Sequence, residues 1–531
     1  MKKPQPLIIV LIALCILFNC KQNKSNQDDS SILNGNKIEF SKREMKFLGI
    51  HMPRGLTKTS DNLEEGYIMF VPTNSASVYL MNRNGEVVHE WKGNYPIENG
   101  AYLNNDGSIY LQAVDLDFPV FSGGGEAGRI QKISWDSKML WDFEYANEMH
   151  HAHHDIAVLP NGNVLTIAWE ARTLEEVLQA GRKPDLIPKA GLWTSTIVEI
   201  KPLDKTHGEV VWKWHIWDHL IQDFNPKKDN FGNVIAHPEL LDFNVGEELP
   251  EPITQDSLDI LRTLGEVGRN DTVDNDGSDV YHLNAVNYNV ELDQIAFIST
   301  ELGEVFIIDH STTSEEAAGH TGGKWGKGGD FLYRWGNPQN YRQGDSTDQK
   351  TFYQHDIRWI EKGYPGEGSM TLFNNNIIGR KDSLKYSAVY QIKPEIDNDG
   401  NYILMKNKRF GPKKPEWKYI AKDSISFHSP YVSGAQRLKN GNTFIIEGAK
   451  GRFFEVTPKG EIVWEFYNHF RGNVHEPNGD PVAMDGWVYS GFRANFIPSN
   501  HPAFKGKKLI PLEPQPDIFK LPSNIKIKEE K

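Results

Sequence analysis

At 531 residues, with 38% hydrophobic and 24% charged residues, the chain has the composition of a soluble globular body and is long enough to bury a large core. A formal net charge of −13 gives no basic field to hold nucleic acid. The only two cysteines, Cys15 and Cys20, stand near the N-terminus, which excludes a disulfide, a thiolate nucleophile or a cysteine metal ligand from the rest of the chain.

The chain opens on a basic Met1-Lys2-Lys3, followed by an apolar run from Leu7 to Phe18 that is too short to span a bilayer. The run ends at Leu17-Phe18-Asn19-Cys20. A cysteine at this point resembles the lipobox of bacterial lipoproteins, in which that cysteine is acylated and becomes the mature N-terminus. Residues 1–19 are therefore expected to be a signal peptide and Cys20 a lipidation site. Phe18-Asn19 departs from the small residues usual before such a cysteine, and an ordinary secretory signal is the alternative. Residues 20–40 are polar at their start and read as a flexible tether. The expected location is the bacterial cell envelope, lipid-anchored on the periplasmic or outer-membrane face.

From residue 60 to 500 the pattern is one of short strands. Gly85-Glu86-Val87-Val88-His89-Glu90-Trp91 recurs as Gly208-Glu209-Val210-Val211-Trp212-Lys213-Trp214 and as Gly460-Glu461-Ile462-Val463-Trp464-Glu465-Phe466. Apolar and polar residues alternate after a turn glycine, the period of a half-buried strand. Asn84-Gly85, Asp106-Gly107, Asn161-Gly162, Asp399-Gly400 and Asn440-Gly441 supply hairpin turns, because both residue types tolerate positive φ. Hairpin-linked strands, many ending in aromatic residues, predict an all-β, six-bladed β-propeller with four strands per blade and long inserted loops. Residues 501–531 form a C-terminal extension.

Histidines recur near the start of several of these units: the run His150-His151-Ala152-His153-His154-Asp155, His282 in Tyr281-His282-Leu283-Asn284, His355 in Gln354-His355-Asp356, and His428 in Phe427-His428-Ser429. In a radial arrangement, equivalent positions meet near the axis. The run from His150 to Asp155 also has the residue types of a transition-metal site. Strand alternation, however, puts His151 and His153 on one face and His154 on the other, so no metal is expected there. His215, His219, His310 and His320 lie in loop-like or charged stretches and read as structural. The acidic stretch from Asp271 to Asp279 lacks the distal glutamate of a calcium loop and reads as a solvated turn. A Gly-rich phosphate loop and a serine nucleophile elbow are both missing from the sequence, which disfavours nucleotide use and serine-hydrolase chemistry.

Gly66-Tyr67-Ile68-Met69-Phe70-Val71-Pro72 and the segment from Val78 to Trp91 resemble the opening of bacterial arylsulfotransferases. His154-Asp155 followed by Leu159-Pro160-Asn161-Gly162-Asn163, then Gly434-Ala435-Gln436-Arg437-Leu438 and Gly451-Arg452-Phe453-Phe454, continue the resemblance to about Pro498. It implies a propeller enzyme that moves a sulfuryl group between phenols without a nucleotide sulfate donor and without a cofactor. By that resemblance His428 is the expected nucleophile, with His282, His355 and Arg380 as the other catalytic residues. Arg437 or Arg493 are alternatives to Arg380. His154, Asn284 and Asn374 are expected to bind the substrates, a phenolic sulfate and a phenol. Two other readings stay open: a non-catalytic propeller lipoprotein that binds glycans or proteins, and an aryl sulfate hydrolase.

Overall fold

The computed structural model describes residues 49–518 apart from 50, 74, 98, 116–119, 247–252, 264–270, 379–384, 424–425 and 471–488, together with residues 39–40 and 526–527. Cys20 and Arg380 lie outside the described residues. Strands dominate, and the helices Leu174–Gln179, Gln255–Thr263 and Ser314–Ala317 are short. Among the described residues, no helix is long and apolar enough to cross a membrane.

Six antiparallel sheets form the blades of a six-bladed β-propeller. From the axis outward, blade one is Ala494–Pro498, Gly66–Phe70, Ser75–Met81 and Val87–Ile97. Blade two is Ala101–Leu103, Ile109–Val114, Gly128–Ile133 and Met139–Glu144. Blade three is His150–Val158, Val164–Arg172, Leu192–Pro202 and Gly208–His215. Blade four is Leu283–Asn289, Gln294–Ser299, Glu304–Asp309 and Tyr333–Trp335. Blade five is His355–Trp359, Met370–Ile378, Lys385–Ile392 and Trp417–Tyr419. Blade six is Gly434–Arg437, Thr443–Glu447, Arg452–Val456 and Ile462–Tyr467, with Gly55–Lys58 added outside as a fifth strand.

Both ends of the propeller segment close the ring. The C-terminal strand Ala494–Pro498 pairs with Gly66–Phe70 as the inner strand of blade one, while the N-terminal strand Gly55–Lys58 pairs with Ile462–Tyr467 of blade six. Closure leaves few sheet edges open. The expected turn glycines have left-handed φ, 86° at Gly85 and 88° at Gly162, where a β-carbon would add strain.

The three Gly-Glu repeats turn out to be the fourth strands, counted from the axis, of blades one, three and six. A second regularity runs through all six blades. Each fourth strand carries a tryptophan whose indole N–H donates to a backbone carbonyl of the next blade. Trp91 reaches Gly107 at 3.3 Å, Trp141 reaches His207 at 3.0 Å and Trp214 reaches Gly329 at 2.8 Å. Trp335 reaches Pro412, Trp417 reaches Pro458 and Trp464 reaches Arg83, each at 2.8 Å. The last of these returns to blade one and completes the circle. A large apolar ring with a single donor at its edge suits this position, since it fills the gap between blades and satisfies a carbonyl there.

Candidate active site

Two of the expected histidines sit where inner strands begin, His282 just before Leu283–Asn289 and His355 as the first residue of His355–Trp359, while His154 stands in the middle of His150–Val158. His154 lies in a bulge of blade three, where the pairing with Val164–Arg172 shifts register between His153 and Ile156. Equivalent shifts occur in blade four between Leu283 and Ala285, and in blade five between His355 and Ile357. His154, His282 and Asp356 all have positive φ (59°, 41° and 56°), a conformation that bulky residues rarely hold. Bulges re-aim side chains, and strain of this kind costs about 1–3 kcal/mol per residue, so the surrounding structure must hold it in place.

The rings of His154 and His282 meet edge to face with centroids 4.4 Å apart. Phe492, just before the closing strand, lies 6.2 Å from His154 and 6.4 Å from His355. Tyr353 stands between His282 and His355, at 6.5 Å and 5.7 Å. His154, His282 and His355 are thus gathered from blades three, four and five around Phe492 and Tyr353. His428 belongs to the segment before the inner strand of blade six. Its Nε2 is 3.0 Å from Oδ1 of Asn376, and its backbone N–H donates to Glu447. The neighbouring Asn375 accepts from Nδ1 of His355 at 2.9 Å. Adjacent asparagines of one strand therefore hold His355 and His428.

Protonation differs sharply within this group. Burial pushes His355 down to about 3, helped by the positive charge of His282 and Arg493 and opposed by its bond to Asn375. Burial also holds His154 well below the ordinary imidazole value, with His282, His153, His355 and Arg493 adding to the effect. Burial opposes charge on His282 as well, but the Asp279 carboxylate, 2.7 Å from Nδ1, more than offsets it and raises the pKa. One imidazole held toward its charged form therefore sits beside two held toward their neutral form, a separation that suits acid–base chemistry.

Beneath the histidines lies a buried polar hub. Nη1 of Arg493 is 2.5 Å from Asp155 and 3.0 Å from the Tyr102 hydroxyl, while Nε is 3.3 Å from Asp356. Nη2 lies 3.4 Å from the Asn284 carbonyl. Asp155 also accepts from the Tyr102 hydroxyl and from the amides of Ile156 and Val286, and Asp356 accepts from the amide of Ala435 and from Arg358. A single guanidinium, carried just before the inner strand of blade one, thereby links inner-strand groups of blades two to five directly, and blade six through Asp356. Burial disfavours the Arg493 charge, but Asp155, Tyr102 and Asp356 more than compensate, so it stays protonated.

The remaining expected residues are placed as follows. Asn284 is buried and donates to the Gln354 carbonyl at 3.0 Å. Both ends of the Asn374 amide are taken by backbone, accepting from Phe352 N–H and donating to the Lys350 carbonyl, each at 2.7 Å; it braces the segment that presents Tyr353 and His355. Arg437 donates to Gly441 and Gln391 in its own part of blades five and six. The run from His150 disperses, with His150 against Tyr145, and His151 and His153 against Trp169.

Four contributors lay outside the sequence reading. The stretch from Asp271 to Asp279, read as a solvated turn, ends in a carboxylate that is tucked in and paired with His282. Its spacing of three residues before a histidine was the available signal. Asn375 and Asn376 were visible only as part of an asparagine run. Phe492 carried no signal, because its place depends on ring closure.

Among solved structures, the chain is similar to a protein of unknown function from Bacteroides caccae, at 11% identity over 82% of this chain and 99% of that one, with a TM-score of 0.40. It is similar to a putative 6-phosphogluconolactonase from Bacteroides fragilis at 11% identity over 82% and 99% of the two chains, TM-score 0.34. A third is the virginiamycin B lyase from Staphylococcus aureus, at 10% identity over 78% and 74%, TM-score 0.29. A comparison with curated proteins found no sequence match. The family model for arylsulfotransferase (ASST) matches residues 55–473, from the outer strand that closes blade six to just past blade six itself. With that match covering most of the chain and all but the closing strand of the propeller, the protein belongs to the arylsulfotransferase family.

Proposed function

We propose that the protein moves a sulfuryl group from an aryl sulfate to a phenol through a sulfohistidine on His428. The observation that carries this reading is the convergence of neutral and cationic imidazoles above a fixed guanidinium. In the first half-reaction a nitrogen of His428 attacks sulfur, the bond from sulfur to the aryl oxygen breaks, and the electron pair leaves on the phenolate. That oxygen takes the proton carried by His282. In the second half-reaction the acceptor phenol gives its proton to His282, now neutral, as its oxygen attacks the sulfur and the S–N bond breaks. His282 serves both directions because each half is chemically the reverse of the other.

His428 is suited to attack because its tautomer is set. The Asn376 NH₂ group donates to the Pro430 carbonyl at 2.8 Å, which turns its Oδ1 toward Nε2–H of His428 and puts the imidazole lone pair on Nδ1. His355 donates Nδ1–H to Asn375, whose own NH₂ group donates to the carbonyls of Ser429 and Val432. Its Nε2 then accepts the O–H of the incoming phenol as it binds, and that O–H turns to His282 when the phenol oxygen attacks sulfur. Arg493 supplies positive potential below the pocket, and Arg380 is the side chain proposed to contact the sulfuryl oxygens directly.

Rapid mixing with a chromogenic aryl sulfate and no acceptor tests the scheme. The expected result is a burst of one phenol per enzyme and an intact mass increased by one sulfuryl group. Steady phenol release with no mass increase would replace transfer by hydrolysis, and no release at all would remove the enzyme reading.

Asp279→Asn is expected to lower transfer by about 10²-fold, because the proton on His282 is no longer stabilised. With its folded pKa raised, wild-type His282 stays protonated above the ordinary imidazole range, so the first half-reaction is lost as pH rises through that raised value. In Asp279→Asn the alkaline limb should move to lower pH. An unmoved limb would show that His282 is not the acid.

We further propose that Cys20 carries the lipid anchor that holds the protein in the envelope, a reading supported by the sequence around it. Cys20→Ala should move the protein from the membrane fraction to the soluble envelope fraction; equal membrane retention would refute it.

A further inference from the structure

Where blades three and four meet on the outside of the ring, three side chains from distant parts of the chain converge. His219 ends the turn Ile216–His219 that leaves the outer strand of blade three. His320 and Asp330 belong to the loop between Glu304–Asp309 and Tyr333–Trp335 of blade four. Nδ1 of His219 and Nδ1 of His320 are each 2.8 Å from the same atom, Oδ1 of Asp330. The donor atoms of all three lie within 4.8 Å of one another.

The chemistry of His219 is what makes this more than a pair of surface contacts. The ring is fully buried, and its Nε2 is 2.9 Å from the Ala317 carbonyl. A carbonyl only accepts, so Nε2 carries the hydrogen. A neutral imidazole has one N–H, which leaves a lone pair on Nδ1 facing a carboxylate oxygen. That contact at 2.8 Å calls for either a second ring proton or a shared metal ion, and His320 presents a second nitrogen to the same oxygen. A metal ion satisfies all three groups with both imidazoles neutral. A histidine ligand that donates its other N–H to a backbone carbonyl is the usual outer-shell arrangement of metal sites.

The surroundings hold this geometry. Trp214 stacks on His219 with centroids 5.5 Å apart and planes 7° from parallel, and its indole N–H fixes Gly329. A β-carbon on Gly329 would fall 2.6 Å from Nε2 of His219 and 2.0 Å from the Ala317 oxygen, so only glycine lets the loop come this close. His320 is 59% exposed, which leaves room on its side for water to complete the coordination.

We propose that His219, His320 and Asp330 bind one divalent transition ion of the zinc type. Two imidazole nitrogens disfavour calcium and magnesium, and the absence of sulfur among the three ligands disfavours monovalent copper. Two nitrogens and a carboxylate with an open position suit Zn²⁺ and admit Co²⁺ as a probe. Bound there, the ion clamps the blade-four loop to the start of the long connection that ends at Asp279 and His282.

His320→Asn tests this without disturbing the buried ligands. The mature full-length protein is stripped with EDTA, loaded with Zn²⁺ and dialysed, and bound metal is counted. One equivalent is expected on the wild type, with affinity at least tenfold weaker in His320→Asn and unchanged in His150→Gln, which alters the other histidine-rich segment. Co²⁺ should give a visible ligand-field band that His320→Asn loses. Equal zinc on wild type and His320→Asn would overturn the proposal. So would a wild type that retains no zinc, which would assign the cluster to an imidazolium salt bridge.

Discussion

Alanine in place of His428 is expected to abolish the burst of phenol, the mass increase and net transfer alike. Removing a covalent nucleophile takes away both half-reactions, so the loss should be on the order of 10⁴–10⁶-fold, as for other catalysts that work through a covalent intermediate. The fold should survive. The backbone N–H of residue 428 still reaches Glu447, a buried carboxylate that Lys450 and Arg452 keep paired, and Asn376 keeps its bond to the Pro430 carbonyl. His355→Ala is the informative companion. It removes a neutral imidazole that accepts from the incoming phenol, so it should slow the second half-reaction while the first still gives a burst. A burst that persists in His428→Ala would move the nucleophile to His282 or His355, the two histidines that flank Tyr353.

The propeller was legible in the sequence where the chain repeats itself closely. The three Gly-Glu segments are the fourth strands of their blades, each a turn glycine followed by the alternating apolar residues of a half-buried strand. The outer strands of blades two, four and five lack that motif, and those of blades four and five also follow long insertions. Their membership shows only in the tryptophans at 141, 335 and 417, whose shared role is a bond to the next blade. A contact between blades leaves no local pattern, so single tryptophans read as ordinary packing residues.

The site was legible in a similar way. His154, His282 and His355 could be grouped because each runs into a β-rich segment, although His154 falls in the middle of its inner strand. His428 stood apart, since it precedes Gly434–Arg437 by several residues, and the structure links it to His355 through Asn375 and Asn376. Strand alternation placed His153 and His154 on opposite faces. The bulge after His153 breaks that rule and brings their Nδ1 atoms to 2.6 Å. The role of Asp279 was hidden for a different reason. An acidic, glycine-containing stretch has the composition of a solvated turn, and composition carries no information about the one carboxylate that turns inward.

Arg493→Met should destabilise the whole ring, by about 3–5 kcal/mol, the usual cost of removing one partner from a buried ion pair. Methionine fills similar volume, so the effect is one of charge and not of a cavity. Two carboxylates, Asp155 and Asp356, would remain buried where the guanidinium had held both. Asp356 keeps Arg358, which reaches it with Nε at 2.8 Å and 3.0 Å from the two oxygens. Asp155 keeps only the Tyr102 hydroxyl and two backbone amides, so most of the cost falls there. Arg493 is also the last residue before the strand that closes blade one, so a weakened hub loosens the closure itself. Arg493→Lys should recover part of the loss, since it restores a charge but not a fork that can meet Asp155 and Asp356 together. Urea unfolding measures both. A midpoint unchanged in Arg493→Met would show that the ring is held by blade packing and the tryptophan circle alone. Asp155→Asn combined with Arg493→Met provides the discriminating case: if the buried charge is the cause, the double variant should be more stable than Arg493→Met by itself.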